Sequence, residues 1–346
     1  MIPLISKKYS FVTILFLAII LLSCSQKPNS LTKYDYLEYF ESIKGKGCVS
    51  GQFIRWNYNA SLEEITAAYD SSGQWVGMLG ADYYANFQDS VPAPKCQYKL
   101  ANDVIDSYYE KNGLVNLSVH FINPQTGGSA WDNHIDFDSL LISDSRIQKN
   151  FLTEIDSVVI GLEKLQETGV MIMFRPFHEM NGGWFWWGKQ DRYIELWKFT
   201  YHYIVNKKGL TNLLWCWSPD AGAGNICKYF PGDEFVDIVG LDAYACNLVE
   251  STQTINAYRE ILKYNKPFGF TECGCDQEYG LPPNTPIAEI YDYNNFLGWL
   301  KNDFPEAVFF LVWRDKWGFA GKLGVRDLLN DPFIINKEEL TELDKR

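Results

Sequence analysis

Two glutamates stand where a pair of catalytic carboxyl groups is needed. Glu179 and Glu272 each follow a short run of apolar residues, which we interpret as a buried β-strand. If both strands belong to one parallel barrel, both side chains lie at its C-terminal mouth. Breaking a glycosidic bond requires one carboxyl group that donates a proton and a second that attacks carbon or activates water. The pair therefore predicts glycoside hydrolysis.

Other polar and aromatic residues occupy the same kind of position, at the ends of predicted strands. They are His120, Arg175, His178, Asp242, Tyr244, Trp313 and Arg314. Because the strand ends of a barrel form its active face, we expect these side chains to surround the two glutamates. Arg175 has two open interpretations, an ion pair with a carboxylate or a contact with substrate.

Eight short apolar runs are separated by other segments along the chain. The predicted strands are 47–54, 75–81, 114–121, 170–177, 212–218, 235–241, 267–272 and 307–313. Nearly continuous apolar runs are typical of strands that are buried on both faces of a parallel sheet. They predict an α/β fold, a single-domain (β/α)8 TIM barrel. An open doubly wound sheet would need a glycine-rich phosphate loop after its first strand, where Arg55-Trp-Asn-Tyr58 stands instead.

The segments between these strands have helical patterns, apart from the loops. Helices are predicted over 101–112, 150–168, 190–208, 252–264 and 286–302. Residues 30–45 are predicted to form one more helix, packed on the barrel. The long polar loop 122–149 is expected to carry substrate contacts, because long loops at the active face of a barrel usually do.

The sequence around Glu179 is specific enough to indicate a family. FRPFHEMNGGWFWWG, residues 174–188, resembles the hallmark motif of glycoside hydrolase family 26, chiefly β-mannanases. DIVGLDAY (237–244) and FTECG (270–274) resemble the strand-six and nucleophile motifs of that family, and His120 and Trp313-Arg314 fit its third and eighth strand ends. The resemblance extends over residues 45–325.

The resemblance implies a role for each of these residues. Glu179 is the expected general acid/base and Glu272 the expected nucleophile of a retaining mechanism, which requires no metal and no organic cofactor. Expected substrate-binding residues are His120, His178, Trp184, Phe185, Asp242, Tyr244, Trp313 and Arg314. Trp187 is expected beside them in the cleft, although Trp184 and Trp187 cannot point the same way in an extended chain, so part of the run 184–187 is expected in the core. Trp56 and Trp131 are candidates for further sugar subsites.

The predicted activity is endo-β-1,4-mannanase, acting on mannan, galactomannan or glucomannan. One alternative is an exo-type enzyme that releases mannobiose, with the loop 122–149 closing the cleft. Another is a member of the same family that acts on β-glucan or xylan. A glycan-binding lipoprotein without catalysis is the alternative from another class, and the presence of both glutamates argues against it.

The N-terminus has the pattern of a bacterial lipoprotein. Lys7 and Lys8 precede the apolar run 11–22, which ends in Leu-Leu-Ser-Cys24. We interpret 1–23 as a signal peptide, 24–44 as a tether with the N-terminal helix, and 45–346 as the catalytic domain. Cys24 would carry the lipid. Ser at position 25 favours the outer membrane, and a periplasm-facing position is expected.

Composition narrows the possible partners of the chain. The formal net charge is −12, from 31 basic and 43 acidic residues, which argues against a nucleic-acid-binding surface. Aromatic residues make up 16%, which fits a cleft that stacks on sugar rings. Nothing in the sequence indicates an obligate oligomer, so a monomer is expected.

The cysteines do not form a metal motif. The chain has eight, one of which is Cys24. Cys216 and Cys246 lie in or beside apolar runs and are predicted to be core thiols. Cys273-Gly-Cys275 lacks a second Cys or His pair at ligand spacing, so no metal site is predicted.

Overall fold

A closed parallel barrel forms the centre of the molecule. The computed structural model describes residues 31–55, 60–84, 95–109, 113–275 and 291–342. The strands are β1 Cys48–Val49, β2 Gly51–Phe53, β3 Met78–Asp82, β4 Leu114–Val119, β5 Ile172–Pro176, β6 Leu213–Trp217, β7 Ile238–Tyr244, β8 Phe268–Gly274, β9 Ala307–Val312 and β10 Ile334–Ile335. Strands β2 to β9 pair in sequence, and β9 also pairs with β2, which closes eight strands. This confirms the (β/α)8 prediction.

The first predicted strand, 47–54, is two short strands in the structure. β1 pairs with β9 and with β10, whereas β2 pairs with β9 and β3. The strand β10 was not predicted, because a two-residue pairing has too few residues to show a pattern. It extends the sheet beside the barrel.

Helices follow most of the strands. They are α1 Lys33–Ile43, α2 Glu63–Ser72, α3 Tyr98–Tyr109, α4 Phe137–Leu140, α5 Arg146–Glu167, α6 Tyr193–Tyr201, α7 Thr252–Ile261, α8 Tyr293–Asn302 and α9 Val325–Leu329. A π-helical segment, His202–Lys207, continues α6. Shorter 3₁₀ turns cover Ile226–Tyr229, Asp233–Phe235, Leu262–Tyr264, Asp315–Trp317 and Lys337–Glu342.

Local chemistry explains where the longest of these helices begins and ends. The Ser145 hydroxyl accepts a hydrogen bond from the backbone N–H of Gln148, which caps α5 at its N-terminus. At the other end Gly169 has φ 82°, a left-handed conformation that glycine adopts without strain. The apolar stripe between these ends, which includes Phe151, Ile155 and Leu162, is fully buried. Each such side chain contributes about 1.5–3 kcal/mol to folding.

The N-terminal helix lies where the sequence analysis expects it. α1 buries Tyr36, Tyr39 and Phe40, and the ring of Phe40 packs 5.8 Å from that of Phe309 in β9. Among the described residues, no helix combines the length and the apolar character needed to cross a bilayer.

A disulfide links two loops on the mouth side of the barrel. Cys246, which follows β7, is bonded to Cys275, which follows β8. The prediction that Cys246 is a core thiol is therefore wrong, whereas Cys216 is a buried free thiol as predicted. The pairing depends on two loops that meet only when β7 and β8 lie side by side, so the sequence alone does not reveal it.

Removing this disulfide should lower the free energy of unfolding. The bond closes a loop with a sequence separation of 29 residues, so Cys246→Ala/Cys275→Ala should cost about 3–4 kcal/mol, measured by urea denaturation. The matched control is Cys227→Ala, because Cys227 is exposed and free. A double variant that unfolds at the same urea concentration as the oxidised parent would contradict the predicted contribution.

Candidate active site

The two predicted catalytic glutamates meet at the C-terminal mouth of the barrel. One carboxylate oxygen from each of Glu179, Asp242 and Glu272 lies within 4.8 Å of the other two. Glu272 lies within β8, directly opposite Asp242 of β7. Glu179 follows β5 by three residues. Adjacent parallel strands bring Glu272 to the mouth, and a tight turn brings Glu179 across to it.

That turn is built from unusual backbone conformations. Phe177 and Glu179 have φ values of 54° and 53°, in the left-handed region that non-glycine residues rarely adopt. The backbone N–H of Glu179 donates to the carbonyl oxygen of Ser218, just after β6, at 2.8 Å. Strain of this kind persists where the surrounding structure holds it, which is common at functional sites.

Glu272 accepts hydrogen bonds from two neighbouring side chains. The Tyr244 hydroxyl donates to Oε2 at 2.6 Å, and the Nη2 of Arg175 donates to Oε1. Glu272 as a residue is only 4% exposed. A buried carboxylate with a cationic donor and a hydroxyl donor is held in one orientation, as a nucleophile must be.

Arg175 is buried beneath the site and forms ion pairs with carboxylates, which is the first of its two interpretations. Its guanidinium is fully buried. It donates to Ser118 Oγ at 3.0 Å, Ser218 Oγ at 3.2 Å and Asp242 Oδ2 at 2.7 Å, in addition to Glu272. Charge pairing with two carboxylates offsets the cost of burying this cation.

Asp242 lies behind Glu272 with no exposed surface. Its Oδ2 accepts from Arg175, and its Oδ1 accepts from the Thr271 hydroxyl at 2.6 Å. These contacts, with Arg175 and Thr271, are different in kind from the substrate contact expected of Asp242. A contact between Asp242 and substrate stays a prediction.

The environment of Glu179 suits a proton donor. Burial raises the pKa of Glu179 well above its usual range, and the nearby charges of Asp242, Glu272 and Asp220 raise it further. The indole Nε1 of Trp184 donates to Oε2 of Glu179 at 2.6 Å, which opposes the rise but does not cancel it. Glu179 therefore keeps its proton to higher pH than an ordinary glutamate.

Two histidines lie beside the acid/base turn. The Nε2 atoms of His120 and His178 are 3.2 Å apart, and both rings are buried. The ring of Trp131, from the loop 122–149, stacks on His120 with 5.3 Å between centroids and 10° between planes. Phe185 packs edge-on against both histidines. The long loop therefore does contribute to the site, through Trp131.

The aromatic run after Glu179 divides between cleft and core. Trp184 is 37% exposed, whereas Phe185 is 3% exposed and Trp186 and Trp187 are fully buried. The expectation that Trp187 lines the cleft is therefore wrong. Its Nε1 donates instead to the carbonyl oxygen of His178 at 2.8 Å, so Trp187 braces the acid/base turn from inside.

Trp313 and Arg314 follow β9, on the opposite side of the mouth from β5. The ring of Trp313 packs against Phe53 of β2 at 4.5 Å between centroids. The guanidinium of Arg314 lies 5.8 Å from the Trp313 ring, and its Nη1 donates to Asp315 at 3.1 Å. Trp317 of the same loop packs edge-on to Tyr244. Trp56 lies outside the described residues, as does Cys24.

Several residues that hold the site were not predicted. Asn181 is 2% exposed and donates to the carbonyl oxygens of Asp220 and Gly224, while the backbone N–H of Asp220 donates to its Oδ1 at 2.9 Å. It ties the acid/base turn to the loop after β6. Burial raises the pKa of Asp220 to about 6. Asp82, at the end of β3, contacts His120. Its one signal in the sequence was its place directly after the predicted strand 75–81.

The chain matches proteins of one known family along most of its length. The sequence model of glycosyl hydrolase family 26 matches residues 26–339. The chain is 32% identical over 331 residues to the mannan endo-1,4-beta-mannosidase A and B of Caldalkalibacillus mannanilyticus, an alignment that covers 90% of this chain and 62% of that protein. It is 31% identical over 334 residues to a mannan endo-1,4-beta-mannosidase of Bacillus subtilis strain 168, with coverages of 91% and 87%.

A solved structure has the same fold. The Bacillus subtilis mannanase BCman superimposes with a TM-score of 0.77 at 28% sequence identity, covering 89% of this chain and 94% of that chain. The predicted family resemblance is thereby confirmed over nearly the whole length of the sequence. This chain belongs to glycosyl hydrolase family 26.

Proposed function

We propose that this protein is a retaining endo-β-1,4-mannanase that hydrolyses mannan, galactomannan or glucomannan. The observation that carries the proposal is the short distance between the carboxyl groups of Glu179 and Glu272, whose nearest oxygens lie within 4.8 Å. Retaining glycosidases hold the two groups about 5–5.5 Å apart, whereas inverting enzymes need about 6.5–9.5 Å to admit a water molecule. The relatives named as mannan endo-1,4-beta-mannosidases support mannan as the substrate.

The first step forms a covalent intermediate. An oxygen of Glu272 attacks the anomeric carbon, and the bond from that carbon to the glycosidic oxygen breaks. The leaving oxygen takes the electron pair and receives the proton of Glu179. Glu179 is suited to this because burial raises its pKa. Arg175 and Tyr244 hold the attacking carboxylate in place until the ester forms.

The second step reverses the roles of the two groups. Glu179, now ionised, removes a proton from a water molecule whose oxygen attacks the anomeric carbon. The bond to Glu272 breaks, and its electron pair returns to the carboxylate, where Arg175 again pairs with the full negative charge. The configuration at the anomeric carbon is inverted twice and is therefore retained.

Product analysis tests the reaction and its mode. Mannan, galactomannan, lichenan and xylan are digested, and products are separated by chromatography over time while proton NMR follows the anomeric signals. An endo-mannanase gives a ladder of manno-oligosaccharides in which the β-anomer appears first. An initial α-anomer would overturn the retaining mechanism, preferential hydrolysis of lichenan or xylan would overturn mannan as the substrate, and mannobiose as the sole early product would identify the exo-type alternative.

We propose in addition that the mature protein starts at Cys24 and is held by a lipid at the periplasmic side of the outer membrane, acting as a monomer. The charge–apolar–Cys pattern of residues 1–24 supports the anchor. Cys24→Ala should release the protein in soluble form on cell fractionation, and a variant that stays in the membrane fraction refutes the anchor. Light scattering on the lipid-free protein tests the monomer.

A further inference from the structure

Asp82 is a buried carboxylate at the end of β3 that no step of the reaction uses directly. Its Oδ1 accepts the backbone N–H groups of Tyr84 at 2.7 Å and of His120 at 3.3 Å. Its Oδ2 lies 2.6 Å from the Nδ1 of His120. Because a carboxylate only accepts hydrogen bonds, the Nδ1 of His120 carries a proton in this arrangement.

This proton fixes the next hydrogen bond. In a neutral imidazole that is protonated at Nδ1, Nε2 is an acceptor. The Nε2 of His120 faces the Nε2 of His178 at 3.2 Å, so a neutral His120 makes His178 the donor. The Nδ1 of His178 is then unprotonated. It is buried and has no hydrogen-bond partner among the described residues, so a proton there would leave an unpaired buried donor.

The charge of the pair affects its neighbour in sequence, Glu179. Burial lowers the pKa of His178 well below its ordinary value, and the positive charge of Arg175 lowers it further. A neutral His178 is useful here because a cation close to Glu179 would favour the ionised carboxylate and take away its role as acid. His178, next to Glu179 in the turn, therefore has both a fixed tautomer and no positive charge.

We propose that Asp82 is a positioning residue, which sets the direction of the hydrogen bond between His120 and His178 and so keeps His178 neutral, with Nδ1 unprotonated, in the turn that carries Glu179. The inference rests on the proposed function in one respect, the role of Glu179 as acid/base. The direction of the hydrogen-bond chain Asp82–His120–His178 follows from these contacts between two neutral imidazoles.

Nitrogen-15 NMR of the imidazole side chains tests the direction without any variant. The protein has four histidines, and His134 and His202 are exposed and serve as internal references. At neutral pH we expect His120 to be protonated only at Nδ1 and His178 only at Nε2. A His120 protonated at both nitrogens, or a His178 protonated at Nδ1, would overturn the proposal. The result is independent of whether mannan is the substrate.

Asp82→Asn tests whether the carboxylate sets this direction. The amide Oδ1 can keep both backbone hydrogen bonds, so that the amide Nδ2, a donor, faces the Nδ1 of His120. His120 should then shift its proton to Nε2, and His178 should carry its proton on Nδ1. Because that proton is buried without an acceptor, the turn must move, and we expect kcat on mannan to fall by about 10- to 100-fold with KM little changed.

Two comparisons complete the test. Asp106→Asn is the matched control, because Asp106 lies on the outer helix α3 and, in the described structure, bonds only to the Thr168 hydroxyl. The kcat of this variant and the nitrogen-15 signals of His120 and His178 should equal those of the parent. Unchanged tautomers in Asp82→Asn, or reversed tautomers with full kcat, would overturn the proposal. A parent protein with the expected tautomers but no activity on mannan would instead overturn the proposed function.

Discussion

Glu272→Gln should reduce hydrolysis of mannan by on the order of 10⁴-fold or more, while the protein stays folded and still binds manno-oligosaccharides. The amide lacks the charge that attacks the anomeric carbon, so no covalent intermediate forms. Its shape is nearly that of the carboxylate. Oε1 can still accept from Arg175, and the amide nitrogen can donate to the Tyr244 hydroxyl in place of Oε2. Calorimetric titration measures binding, and reducing-sugar release measures turnover.

Glu306→Gln is the matched control for this variant. Glu306 also accepts a hydrogen bond from a tyrosine hydroxyl, that of Tyr258, but it lies in the loop before β9 rather than at the mouth. Activity should be unchanged. The activity of Tyr244→Phe should lie between that of Glu272→Gln and that of Glu306→Gln. This variant removes one of the two hydrogen-bond donors that hold the nucleophile but leaves Arg175. Substantial turnover of mannan by Glu272→Gln would show that Glu272 is not the nucleophile.

The barrel and its catalytic pair could be predicted because their signals are local. β5 and β8 are nearly continuous apolar runs, which are typical of strands buried on both faces. The side chains that follow or end these runs, Glu179 and Glu272, are therefore placed at the mouth by the fold class itself. The long aromatic motif after β5 gave the family.

The supporting contacts could not be predicted because they join distant parts of the chain. The side-chain bonds of Asp82 to His120 and of Ser118 to Arg175 exist only once β3, β4 and β5 lie side by side. The partner of Cys246 depends on two loops in the same way.

The directions of side chains within a tight turn are equally hidden. Trp184 and Trp187 are equally apolar in the sequence, but only Trp184 reaches the cleft. The left-handed residues Phe177, Glu179 and Lys189 set the path of that segment. Residues of those types rarely adopt such conformations, so the sequence carries no signal for them. The strain itself marks the site only after the structure is known.

Glu179→Ala should separate the two halves of the reaction. A polysaccharide leaving group needs a proton, so kcat/KM on mannan should fall by about 10²–10⁴-fold. An aryl mannoside with an acidic phenol needs none, so its first step should be nearly unaffected. The second step still lacks its base, so the covalent intermediate on Glu272 should accumulate. Its formation should be seen as an initial burst of released phenol. Stopped-flow absorbance measures the burst, and Glu154→Ala, at a carboxylate of α5 bonded to Tyr84, is the matched control.

The dependence of activity on pH also tests whether Glu179 is the proton donor, because the direction of each expected shift is defined. In the parent, activity on mannan should fall as pH rises through the pKa of Glu179, which burial raises. The hydrogen bond from Trp184 stabilises the ionised form of Glu179, so its loss in Trp184→Phe should move this basic limb to higher pH. The residual activity of Glu179→Ala on mannan should lack this basic limb. A limb that stays in place in both variants would assign the proton to another group, and Asp220, whose pKa is about 6, would be the next to replace.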